Sequence, residues 1–179
     1  MSPFMRIALP IFGVVAVTSL FAIMAGSAGA SMTSPLSAAR GKLSKAIVAL
    51  AKKWARARGI PVEWVIATIL IESGGKQYAH AQTAREDSYG LMQVNYRVHG
   101  DKIAAAGDSA EDLYNPDINI KWGTLILRDA YKKALASGSS HPIDLATRLV
   151  YNYGHMPAAP DPKKVVAWSN AMAQTQAIV

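Results

Sequence analysis

Proline recurs in this chain just ahead of runs with helical periodicity, and that placement constrains the fold more than any other feature. At the first helical position a proline costs nothing, because its missing N–H would have had no intrahelical partner there. Ser34-Pro35 opens a run to Arg58 that Gly59 stops, and Pro61 opens another to Ser73. Asn115-Pro116 begins a long run ending near Gly138, and His141-Pro142 begins one through Asn152 with Gly154 as its stop. Asp161-Pro162 begins the last. Between residues 35 and 58, Leu43, Ile47, Leu50 and Trp54 recur at helical spacing, with Lys45, Lys52, Lys53 and Arg56 on the other side. No convincing alternating strand is present, although 76–90 has room for a short hairpin. The expected fold is all-α, or α with a minor hairpin, over residues 34–179.

Residues 1–33 read differently. Met1–Ala30 carries one charge, Arg6, followed by an apolar run over residues 7–25 that ends in the small-x-small pattern Ala28-Gly29-Ala30. A cleavable signal peptide has such a pattern, but the run approaches the ~20 residues that span a bilayer. Arg40, Lys42 and Lys45 follow it closely, a charge bias opposite to the one an exported C-terminal domain prefers. The expectation is a hydrophobic N-terminal helix, either a membrane anchor or a signal, in a protein anchored at or exported across a membrane.

Composition excludes several function classes. The absence of cysteine removes disulfides, thiolate metal sites and cysteine nucleophiles together. His80, His99, His141 and His155 are scattered without a His-x-x-x-His pair, so no metal site is expected. A net charge of +7 favours a polyanionic partner, and nucleic acid, anionic lipid and bacterial wall all qualify. The cations are spread along the chain without an aromatic-interleaved basic run, which argues against nucleic acid. Nothing calls for a cofactor.

The chemistry concentrates at Glu72. It ends a helix whose residues 65–71 are hydrophobic nearly all round, the mark of a buried helix. Burial, together with the negative end of the helix dipole, acts to raise a carboxyl pKa from its reference near ~4.3. A general acid working near neutrality wants a value of roughly 6–7. The plainer alternative is that Glu72 turns into solvent where Gly74-Gly75 breaks the helix. Three further clusters accompany it: Ser88-Tyr-Gly90-Leu-Met-Gln93 after a loop with Glu86 and Asp87, Asn115-Pro116 with Asn119 and Gly123, and Tyr151-Asn152-Tyr-Gly154. Singly, each has a structural explanation: Leu91 and Met92 as core, Asn115 as a helix cap, Tyr151 as a core aromatic. Gln93, Tyr151 and Asn152 also supply the amide and hydroxyl groups that a sugar-binding cleft needs.

In this order, the motifs Glu72-Ser73, Gly90-Leu91-Met92-Gln93, Asn115-Pro116 with Asn119-Ile120 and Gly123, and Tyr151-Asn152 with Gly154 resemble the lysozyme-like soluble lytic transglycosylases and their relatives, the goose-type lysozymes. The resemblance implies a lysozyme-like α-helical domain that cleaves the β-1,4 bond between N-acetylmuramic acid and N-acetylglucosamine of peptidoglycan strands. It makes Glu72 the catalytic acid and aligns Ser73, Gln93, Tyr151 and Asn152 with substrate-binding residues. Tyr151 would orient Glu72 or the substrate's acetamido group. That group would stabilise C1, and Glu72 would then deprotonate the muramyl O6 to close a 1,6-anhydro ring, an exception to the two-carboxylate scheme. Goose-type enzymes instead hydrolyse the bond with help from aspartates. One such position here is Asn95, and the other falls in the loop with Glu86 and Asp87, the possible second carboxylates. These acids also read as an ordinary solvated loop. Transglycosylation is therefore the leading expectation, a hydrolytic muramidase the second, and a non-catalytic peptidoglycan-binding component of a membrane or virion assembly the third. Domains of this kind with an apolar N-terminus resemble wall-opening parts of a phage virion or of a secretion or conjugation machine.

Overall fold

A computed structural model describes residues 43–179. The apolar run at 7–25 and Ser34-Pro35 lie outside them, and among the described residues no helix is long and apolar enough to cross a membrane. The chain order is α1 (Lys45–Arg58), α2 (Val62–Glu72), β1 (His80–Gln82), β2 (Asp87–Tyr89), β3 (Val94–Asn95), α3 (Tyr96–Ala105), a 3-10 turn (Glu111–Tyr114), α4 (Pro116–Ala136), α5 (Ile143–Tyr153) and α6 (Pro162–Thr175). The fold is thus mainly helical with one small antiparallel sheet, in the order β1-β2-β3.

The proline signals at 61, 116, 142 and 162 each fall at or next to a helix start. The expectation of a helix running from Pro35 to Arg58 is corrected at its beginning. Leu43 and Ser44 are not helical, and Ser44 Oγ accepts the Ile47 N–H at 3.2 Å, so this serine caps a helix that starts at Lys45. The hairpin expected within 76–90 is present, with His80 opposite Tyr89 and Gln82 opposite Asp87. The third strand and α3 were not expected. Asn95 starts α3 by accepting the Arg97 N–H at 3.1 Å.

Two larger apolar clusters hold most of these elements, and a third, smaller one joins Ala130 and Ala134 of α4 to Ala146 and Val150 of α5. The larger gathers Ala51 and Ala55 of α1, Trp64 to Ala67 and Ile69 of α2, Leu91 and Met92, Ile120 and Leu127 of α4, and Trp168 of α6. The second joins Tyr89, Val94, Ile103, Leu113 and Trp122 around the sheet. Helix α2 is buried from Trp64 to Ile69, as its unbroken apolar run implies. Each large aliphatic side chain there contributes about 1.5–3 kcal/mol of burial. That anchorage fixes the helix end from which Glu72 projects.

Candidate active site

A groove of about 1010 Å³ opens beside the end of α2, with Glu72, Gln93, Tyr151 and Asn152 in its lining. Its floor is a stripe along α4 that includes Trp122, Ile126 and Asp129, and one wall is formed by Asn95, Val98, His99 and Lys102 at α3 and its cap.

The Glu72 carboxylate is not alone. Its Oε1 accepts a hydrogen bond from Arg148 Nη1 at 2.7 Å; the Glu72 side chain is 21% exposed and that of Arg148 only 4%. Arg148 also lies against the Tyr151 ring, 5.5 Å from its centroid. Sequence reasoning missed Arg148, although a signal was present. A cation inside Leu145-Ala-Thr-Arg148-Leu-Val, on a helix whose neighbouring residues are buried, requires a counter-charge. Glu72, itself ending an apolar helix, was the matching acid.

The residue after the acid is held by backbone groups. Ser73 Oγ donates to the Leu91 carbonyl at 2.8 Å and accepts the Gly75 N–H at 3.1 Å, so its hydroxyl ties the end of α2 to the Gly90–Gln93 turn. Ser73 is also absent from the groove lining. A hydroxyl placed between two backbone groups in this way fixes the acid's helix end.

The Gly90–Gln93 turn is itself pinned from α4. Asn119 is fully buried; its Oδ1 accepts the Met92 N–H at 2.8 Å, and its Nδ2 donates to the Tyr89 and Leu113 carbonyls, each at 2.8 Å. Gly90 has φ +74°, and a Cβ there would strike the Asn119 amide and the Leu113 carbonyl. At Gly123 a Cβ would approach the Met92 Cβ to 2.7 Å. Both glycines are thus required by close approach between the turn and α4. The turn ends in strain: Gln93 has φ 47°, a left-handed conformation costly for a residue with a side chain. Its Nε2 donates to the Ala79 and Gly90 carbonyls at 3.1 and 3.0 Å, which hold the amide at the groove.

Tyr151 and Asn152 both reach the groove from the end of α5. The Tyr151 hydroxyl donates to the Met92 carbonyl at 2.8 Å. Burial above all, with the Glu72 charge adding to it and Arg148 opposing, pushes this phenol well above its ordinary value, so the donor proton is retained. The side chain bonded to Glu72 is Arg148, while the phenol proton goes to the Met92 carbonyl.

The two possible second carboxylates separate. Asp87 is absent from the groove lining and is hydrogen-bonded to His80 Nε2 at 2.9 Å and to the Tyr89 hydroxyl at 3.1 Å. The His80 hydrogen bond foremost, against the opposing effect of burial, holds its carboxyl below the usual carboxylate value. Glu86 lines the groove and accepts the Ser88 hydroxyl at 2.8 Å. Asn95, also in the lining, uses its side-chain oxygen to cap α3. Among the described residues, no group of three or more His, Asp or Glu side chains is arranged to hold a metal ion.

No curated protein matches the chain. A family model, the transglycosylase SLT domain, matches residues 49–165. The matched stretch runs from within α1 to the first turn of α6 and contains the acid, the pinned turn and the Tyr151-Asn152 helix end. With a mainly helical fold around that groove, the chain belongs to the transglycosylase SLT domain family, lysozyme-like domains that act on peptidoglycan.

Proposed function

We propose that this protein is a lytic transglycosylase in which Glu72 serves as both acid and base. The observation that carries this reading is the held acid at the end of α2: Glu72 is oriented by Arg148, while the position where a lysozyme would set a water-activating aspartate is Asn95, occupied in capping α3. Arg148 engages Oε1, leaving Oε2 to carry the transferable proton. Glu72 protonates the glycosidic oxygen as the C1–O bond breaks, and the substrate's acetamido carbonyl closes on C1. The resulting carboxylate then takes the proton of the muramyl O6–H, and O6 displaces the acetamido oxygen to form the 1,6-anhydro ring. No water is consumed. Gln93 and Asn152 supply hydrogen-bonding amides along the strand. In this reading the apolar run at 7–25 delivers the domain to a membrane, where a virion or secretion machine opens the wall locally.

Mass spectrometry of digested sacculi provides the test, since anhydro ends are lighter than reducing ends by one water. Predominantly anhydro ends are expected, with Asp87→Asn leaving the rate nearly unchanged. Reducing ends that disappear in Glu86→Gln would identify Glu86 as a base for water and make the protein a hydrolytic muramidase.

A further inference from the structure

Acidic residues are segregated in this chain: all twelve lie between Glu63 and Asp161, so α1 before them and α6 after them carry none. Helix α1 holds the cations Lys45, Lys52, Lys53, Arg56 and Arg58. Two of these are engaged within the domain. Lys53 pairs with Asp117 of α4, and the Arg58 guanidinium lies 5.6 Å from the centroid of the Trp54 ring. Lys45, Lys52 and Arg56 fall with Ala49 on one exposed stripe of the helix, spaced i, i+7 and i+11 with the alanine at i+4. At 1.5 Å per residue that stripe is roughly 16 Å long. Ion pairs among the described residues involve Lys53, His80, Lys121 and Arg148, so none of the three has an aspartate or glutamate within pairing distance there. Lys52 Nζ donates to the main-chain oxygen of Val179 at 3.3 Å. A depression of about 310 Å³ on this side is lined by Lys45 and Lys52 together with the apolar Leu43, Val48, Ala49 and Ile178. No residue of α1 lines the groove that holds Glu72.

A row of cations with no acid interspersed is complementary to an extended anionic surface. The helix cannot bury itself in a bilayer, because its apolar side, with Ala51 and Ala55, is already taken up in the core. Contact through α1 is therefore electrostatic, and the short side chain of Ala49 lets the helix approach a flat surface closely. The depression adds a second element: ammonium groups supply the counter-charge for a phosphate, and apolar walls beside them suit the hydrocarbon that adjoins a lipid phosphate. A soluble phosphate polymer has no use for such walls. We infer that the Lys45, Lys52 and Arg56 stripe of α1 docks the domain on an anionic lipid surface, leaving the Glu72 groove open to the wall. The inference rests on the reading that the apolar run at 7–25 takes the domain to a membrane, and α1 is the first described helix after that run.

Flotation of the full chain with vesicles provides the test. Partition into phosphatidylcholine vesicles measures what the apolar run contributes, and the extra partition into vesicles that also contain phosphatidylglycerol measures the charge-dependent part. Three cations held near such a surface contribute up to roughly a hundredfold. Lys45→Gln/Lys52→Gln/Arg56→Gln should therefore reduce the preference for anionic vesicles about tenfold or more beyond the reduction in Lys76→Gln/Arg97→Gln/Lys102→Gln. That second variant removes the same charge from exposed positions outside α1, which separates a local stripe from the effect of net charge. Any smaller difference between the two variants overturns the inference. So does loss of the wild type's anionic preference when a glycerol-phosphate oligomer is added at equal phosphate concentration, which would assign the stripe to phosphate polymers of the wall. Failure of the anchor reading appears separately, as no flotation with the neutral vesicles, and failure of the transglycosylase reading as absence of anhydro ends from digested sacculi.

Discussion

Glu72→Gln is expected to lower wall-clearing activity by at least about a hundredfold, since acid–base catalysis contributes roughly 10²–10⁴. It is also expected to destabilise the protein by about 3 kcal/mol, the lower end of what breaking a buried ion pair costs. The second effect follows from Arg148, whose side chain is 4% exposed and has Glu72 as its paired carboxylate. The glutamine oxygen can still accept the guanidinium N–H, but the cation loses its counter-charge. A reading of Glu72 as an unpartnered acid predicts instead a dead enzyme of unchanged stability. Urea unfolding of the single variant and of Glu72→Gln/Arg148→Met decides between them. The double variant should recover most of the lost stability and none of the activity, because an apolar side chain replaces a stranded charge. An unaltered urea midpoint in Glu72→Gln would show that the ion pair contributes nothing to the fold.

Asn119→Ala should be the most damaging substitution away from the acid. It strands the Met92 N–H and the carbonyls of Tyr89 and Leu113, each at about 1–3 kcal/mol. A loss of about 3 kcal/mol or more corresponds to roughly 6–12 °C in Tm for a chain of this size. Activity should fall even where the variant remains folded, because the same turn sets Gln93 at the groove and receives the Ser73 hydroxyl and the Tyr151 proton. Asn119→Asp retains the acceptor for Met92 but loses both donors, and should be nearly as costly. A loss below about 1 kcal/mol in the alanine variant would mean that solvent replaces the amide.

These two sites also mark what was legible in the sequence. Helices opened by Pro61, Pro116, Pro142 and Pro162 were visible because a helix start is a local event, decided by one fixed φ and one absent donor. Helix α3 was not, because its cap Asn95 looked like a catalytic position and Gly100 interrupts its pattern. Glu72, Gln93, Tyr151 and Asn152 all line the groove; Glu72, Tyr151 and Asn152 were readable as helix-end positions, whereas Gln93 sits in the turn before β3. The bond from Ser73 to the Leu91 carbonyl was not legible, because that partner is a tertiary neighbour that no spacing specifies. Glu86 and Asp87 could not be separated until they fell on and beside a strand, where neighbouring side chains take opposite faces. The Arg148 pairing spans 76 positions, so only the folded chain joins its halves.

Helix α4 has a mechanical consequence for the groove. One stripe of this helix places Ile120 and Leu127 in the larger apolar cluster, while Trp122 on another side packs in the second and, with Ile126 and Asp129, lines the groove. A beam gripped on two sides cannot bend to admit a polymer. Helix α3, by contrast, has Ile103 as its one fully buried residue, with Val98 67% exposed on the groove wall. Widening the groove for a strand therefore means letting the α3 wall swing while the α4 floor stays still. Amide hydrogen exchange should record this as markedly faster opening for residues 96–105 than for the middle of α4, since local opening energies follow buried contact. The enzyme would then grip its substrate from the side that carries Lys102 and release it from the same side, with the acid on the stationary half.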